Sequence, residues 1–130
     1  MQPASPAAER RRRHRRVAID APVRVSTIDP ELDPRTGRPF FRAFEDRCLD
    51  LSPGGLRLRT HEILAPGRRV LLEVELPEGP RFEAIARVAW TAHAGPEHQD
   101  VGVEFLGNAP EQLTGLERYL GAAGWSRRAP

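Results

Sequence analysis

Apolar and polar residues alternate with a period of two along most of this chain, and Pro- and Gly-rich turns interrupt the alternation. That pattern predicts a mainly-β protein, because successive side chains of a strand point to opposite faces. Six such segments follow one another with no helical spacing between them, which predicts a six-stranded antiparallel β-barrel. Helical spacing enters only near the end and adds one C-terminal α-helix. A chain of 130 residues fits a single domain with one modest core.

Residues 1–9, MQPASPAAE, are small, polar and Pro-containing, and read as a disordered start. Arg10–Arg16, RRRRHRR, forms an arginine arm directly ahead of the first alternation. In the first strand, Val17, Ile19 and Ala21, then Val23 and Val25, alternate with more polar neighbours. Ile28–Phe41, IDPELDPRTGRPFF, holds three prolines, a glycine and two Asp-Pro steps, and reads as a long loop. FRAFEDRCLDL then reads as a strand of weak alternation. Leu56 and Leu58 mark the third strand, and Val70, Leu72, Val74 and Leu76 the fourth. Phe82, Ala84, Ala86, Val88 and Trp90 mark the fifth, and Val101, Val103 and Phe105 the sixth. SPGG, APG, PEGP and HAGPEH supply the turns. Pro110 suits a first helical turn and Glu111 its positive dipole end, while Leu113, Leu116 and Leu120 share a face and Gly121 is the stop. The domain is therefore expected over 10–122, with arm 10–16, barrel 17–106 and helix 110–121, and with 123–130 as a frayed tail.

Composition narrows the function classes. There is no apolar run long enough for a membrane span, and no apolar segment follows the basic N-terminal residues as a secretory signal requires. A single cysteine, Cys48, leaves no intramolecular disulfide and suits a reducing cytoplasm. The net charge of +2 conceals an asymmetry. Residues 1–16 hold six arginines and one glutamate, whereas the rest holds fourteen arginines and seventeen acids. The body is mildly acidic and the basic character sits in one arm. Every basic side chain is arginine, whose planar fork of donors an ammonium does not offer.

Two stretches carry chemistry. Arg12 and Arg16 form R-x-x-x-R against the first strand, and Asp50, Ser52 and Gly55 form D-x-S-x-x-G at a strand–strand turn. Taken alone, the second is an ordinary β-turn: Asp and Ser bond their own backbone, Pro53 sets φ, and Gly54 and Gly55 take positive φ. Taken together, on a six-strand pattern, the two motifs resemble the PilZ domain, the bacterial receptor family for cyclic di-GMP. PVRV, ARVAW and VGVEF also look like family strand signatures, and the resemblance covers roughly residues 10–120.

The resemblance implies a cytoplasmic stand-alone receptor that binds cyclic di-GMP and signals to a protein effector through a conformational change, the arginine arm closing on the barrel. It implies Arg12 and Arg16 as guanine and phosphate ligands, with Asp50, Ser52 and Gly55 holding a base. The ligand's chemistry agrees: an arginine fork meets guanine O6 and N7 or a phosphate, and a carboxylate accepts from the guanine N1–H and N2–H₂ edge. Arg11 and Arg15 also spell R-x-x-x-R, but Arg16 abuts Val17, the usual junction in this family. Arg13, Arg15 and Gly54 are secondary candidates. The loop Ile28–Phe41 lengthens the gap between the motifs and reads as a surface insertion more than a partner contact; folded across the barrel mouth it would obstruct the site.

Other features read as structural. The histidines and Cys48 lack metal-ligand spacing, Ser52 lacks a nucleophile context, and no cofactor is implied. Trp90 is expected on the apolar face with Phe82 and Val88, although a tryptophan near a strand end can border a base; Phe40 and Phe41 are expected to anchor their loop, and Cys48 to be buried and inert. Two rival functions stand beside the receptor. One is a PilZ-like adaptor that binds no nucleotide, against which both motifs count. The other is a nucleic-acid-binding barrel, against which the acidic body and the lack of an aromatic platform count. An enzyme is the least favoured class.

Overall fold

The computed structural model describes residues 16–107 and 110–122, with side chains from Gly115 to Gly121 in the second segment. Expectations for residues 1–9, for Arg11, Arg12, Arg13 and Arg15, for the side chain of Leu113 and for the tail lie outside the described residues.

Among the described residues, eight strands and one helix follow in order: β1 (Val17–Thr27), β2 (Glu31–Leu32), β3 (Pro39–Phe40), β4 (Ala43–Ser52), β5 (Gly55–Thr60), β6 (Arg69–Glu75), β7 (Arg81–His93), β8 (Gln99–Gly107) and α1 (Pro110–Ala122). Six of the strands close a barrel in the order β1-β4-β5-β8-β7-β6, and β6 pairs back onto β1. Every pairing is antiparallel. Closure leaves these six strands with no open edge.

The alternation has the expected consequence. Val17, Ala21, Val23 and Val25 of β1, Leu56 and Leu58 of β5, and Val70, Leu72 and Val74 of β6 are buried in one core. Each of these valine and leucine side chains contributes roughly 1.5–3 kcal/mol by leaving water. Leu116 and Leu120 of α1 join that core, and the Tyr119 hydroxyl donates to the Pro77 carbonyl at 3.0 Å. The helix is thereby pinned to the β6–β7 turn.

Where the period breaks, a bulge is responsible. One lies between Cys48 and Asp50 of β4, which explains the weak alternation there. Another lies between Val88 and Trp90 of β7. Val88 pairs with Val103 and faces the core, but Trp90 pairs with Gly102. The extra residue turns Trp90 onto the outer face, so its expected place beside Phe82 and Val88 is corrected.

The loop Ile28–Phe41 also differs from expectation. It contains the short β2–β3 hairpin, with Glu31 opposite Phe40 and Leu32 opposite Pro39, and Gly37 at its tip has φ +69°. Phe40 and Phe41 do not anchor it; both are exposed. Polar bonds do that work, because the Arg42 N–H donates to Thr27 Oγ1 at 2.8 Å and the Arg42 guanidinium grips Glu31.

Candidate functional site

Asp50 and Arg57 face each other across the β4–β5 hairpin. The register follows from the turn: Ser52 pairs with Gly55, so only Pro53 and Gly54 lie between the strands. Counting back two rows from Ser52–Gly55 brings a carboxylate opposite a guanidinium. The same row continues through Gly102 of β8 to Trp90 of β7, and on the other side to Ala18 of β1. Directly paired residues share a face, so this row lies on the barrel's exterior.

Arg16, the residue before β1, completes the row. Its guanidinium donates to Asp50 Oδ1 and forms an ion pair with it, so the two sequence motifs meet in space. Arg57 donates through Nε to Asp50 Oδ2 at 2.8 Å and through Nη1 to Asp100 Oδ2 at 3.0 Å. Arg59 donates through Nε to Asp100 Oδ1 at 2.8 Å. The result is an alternating line, Arg16–Asp50–Arg57–Asp100–Arg59, of three guanidiniums and two carboxylates. Asp50 and Asp100 are mostly covered, whereas Arg57 and Arg59 stay partly open to solvent. The line can therefore offer donors outward to an anion while its acids hold the guanidiniums in place.

Ionisation is shifted at the Asp100–Arg59 end of the line. Hydrogen bonding from Arg59, with Coulomb attraction to Arg59 and Arg57, holds the Asp100 carboxyl below its ordinary value against the opposing effect of burial. Cys48 sits inside the barrel behind Asp50, and burial pushes its thiol up to about 12. It is an inert core residue, as expected.

Ser52 and Gly55 hold the turn. Ser52 is only 2% exposed, and its hydroxyl donates to the Gly55 carbonyl at 3.2 Å. The Phe105 N–H donates to the Gly54 carbonyl at 2.9 Å and ties the turn to β8. Neither Gly54 nor Gly55 takes positive φ, so the expected reason for these glycines is corrected. At Gly55 the reason is proximity: a Cβ there would collide with the Val103 carbonyl of β8. Gly102 is similar, since a Cβ would run into the Trp90 indole lying over it.

Arg57, Asp100 and Arg59 belong to neither sequence motif and enter the site only through the fold. Arg57 was legible, because a two-residue turn fixes which residue opposes Asp50. Asp100 depends on β5–β8 pairing, for which no local signal exists.

The PilZ domain model matches residues 9–122. This chain belongs to the PilZ domain family. The PilZ assignment accounts for the six-stranded barrel and the terminal helix together. No curated protein matches the sequence. Among solved structures, the Bacillus subtilis inhibitor of motility MotI/DgrA superposes with a TM-score of 0.66 at 18% identity, over 91% of this chain and 53% of that one. Escherichia coli YcgR in complex with c-di-GMP gives 0.66 at 20%, over 91% and 48%. The PilZ domain of YcgR with c-di-GMP gives 0.61 at 19%, over 92% and 94%. The chain thus spans about half the length of the first two and nearly all of the isolated domain. At such identities the likeness is one of fold. No helix among the described residues is long and apolar enough to cross a membrane.

Proposed function

We propose that this PilZ domain is a receptor for cyclic di-GMP, with Arg12, Arg16, Asp50, Ser52 and Gly55 as its site and residues 10–122 as the receptor unit. The observation that carries this is the meeting of Arg16 with Asp50, which joins the two halves of the motif pair on one exterior face. Family membership and the c-di-GMP complex of the YcgR PilZ domain support it.

Each residue type suits one feature of the ligand. The guanidiniums of Arg12 and Arg16 fit a phosphate or the O6/N7 edge of guanine. The Asp50 carboxylate has lone pairs beyond those taken by Arg16 and Arg57, and these accept from guanine N1–H and N2–H₂. Ser52 and Gly55 keep the turn tight against β8, so that Asp50 keeps its place. Trp90 adds a flat ring two strands from Arg57, across Gly102 of β8, against which a base can stack. Arg11, Arg13 and Arg15 raise the local positive potential. Output then passes to a protein effector through closure of the arginine arm on the barrel.

Calorimetric titration with cyclic di-GMP, with GTP and linear pGpG as controls, tests this directly. The wild type is expected to bind saturably and selectively, and Arg16→Ala to lose affinity on the order of tenfold to a hundredfold, as for a lost charge-assisted bond. No heat and no change of melting temperature with the wild type would leave the adaptor reading in its place. Salt-sensitive binding of oligonucleotides instead would point to the nucleic-acid reading.

A further inference from the structure

At the end of β1 far from Arg16, several large apolar side chains stand in solvent. Leu32 (68% exposed), Phe40 and Phe41 (62%) ride on the β2–β3 hairpin, and Ile63 (79%) lies on the loop after β5. One guanidinium binds these two segments together. Arg42 donates to Glu31 at 2.6 and 2.9 Å, to Glu62 at 3.3 Å and to the Ile63 carbonyl at 2.8 Å. Arg68 adds a bond to the Pro30 carbonyl at 3.4 Å. The apolar side chains are therefore presented on a held scaffold, and such exposed groups mark interaction sites when they cluster. Beside Ile63 opens a depression of about 480 Å³, walled by His61, His93, Pro96 and His98 among others.

We infer that this end of the barrel is a docking surface for a protein partner whose contacting segment carries apolar side chains flanked by carboxylates. Charge at the hairpin selects the chemistry. Arg35 and Arg38 are exposed at its tip and form no ion pair among the described residues. The nearby acids are already engaged: Asp29 with Arg69, Glu31 with Arg42, and Asp33 with the Arg35 backbone N–H. A partner carboxylate supplies the counter-charge the two arginines lack, apolar residues cover Leu32, Phe41 and Ile63, and the depression takes a side chain. Two free arginines fall short of the four to eight basic residues that hold a polybasic surface to anionic lipid. A protein segment fits better than a membrane.

The surface stands apart from the nucleotide site, so its test does not depend on cyclic di-GMP. A random dodecapeptide library displayed on phage is selected on the full chain and counter-selected on Phe41→Ser/Ile63→Ser. Both positions are exposed, and unchanged melting temperatures verify that the variant folds. Enriched peptides are expected to combine apolar residues with Asp or Glu. Their synthetic forms are expected to bind about tenfold more weakly to Phe41→Ser, as at a hot spot, and several-fold more weakly to Arg35→Gln/Arg38→Gln or in high salt. No enrichment, or enriched peptides that are basic or indifferent to these substitutions, overturns the proposal. So does binding of the wild type to phosphatidylserine vesicles that the double variant loses, which would make the surface a lipid contact.

Discussion

At the residue scale, two aspartates show how neighbours decide ionisation: Asp100 on the barrel's exterior, and Asp46, which pairs with the buried Val23 of β1 and shares its inward face. Asp100 lies between Arg57 and Arg59, and hydrogen bonding from Arg59 is the main reason its carboxyl is held below the ordinary 3.8. Asp46 is raised above 3.8, chiefly by burial, with a hydrogen bond from Thr60 pulling the other way. The signs then follow. Asp100 stabilises the fold fully above 3.8 and loses that contribution as pH falls through its depressed value. Asp46 favours the fold when protonated, so its contribution fades as pH rises from 3.8 through its raised value. A carboxyl-carbon NMR titration is expected to place Asp46 above and Asp100 below the ordinary value. Replacing Arg59 by Ala should move Asp100 upward and leave Asp46 in place; coincident midpoints in the wild type would contradict this account.

At the element scale, the β4–β5 hairpin is the piece on which the site depends. Its two-residue turn sets Asp50 against Arg57, and its contact with β8 brings Asp100 into line. Gly55 permits that contact, because the Val103 carbonyl occupies the space of a Cβ. Val103 is held in the β5–β8 ladder opposite Leu56, so it cannot retreat without disturbing several strand hydrogen bonds. Gly55→Ala is therefore expected to destabilise the fold by about 1–3 kcal/mol, the range for overpacking. Urea unfolding checks it, and the midpoint should fall. Gly115→Ala, where a Cβ meets nothing, is the control and should match the wild type or exceed it. An unchanged midpoint for Gly55→Ala would mean that the turn relaxes and does not hold Asp50 in place.

At the scale of the whole molecule, the proposed ligand site and the apolar hairpin lie toward opposite ends of β1, an 11-residue strand that spans roughly 35 Å. The inserted hairpin consequently does not lie over Asp50 and Arg16; it is tied to Arg69, Glu62 and Ile63 at the far end. If cyclic di-GMP draws the arginine arm onto the barrel, amide exchange around Arg10–Val17 is expected to slow when ligand is added. Unchanged exchange there, in a sample that binds by calorimetry, would remove arm closure from the mechanism and leave the receptor reading intact.

The sequence by itself determined the barrel's strands, because side-chain period is a local property and water enforces it wherever one face is buried. It also determined the D-x-S-x-x-G turn, and with it the Asp50–Arg57 pair, since a two-residue turn leaves little freedom in register. Tertiary structure alone decided the rest. A bulge between Val88 and Trp90 carried the tryptophan from the expected core face to the exterior, and a single extra residue leaves no signature in apolar alternation. The β5–β8 pairing delivered Asp100 to Arg57, residues 43 positions apart, through ladder bonds that depend on no particular side chain. Arg42, and not Phe40 or Phe41, secures the hairpin, and a guanidinium's choice among Glu31, Glu62 and the Ile63 carbonyl is settled only when those groups converge.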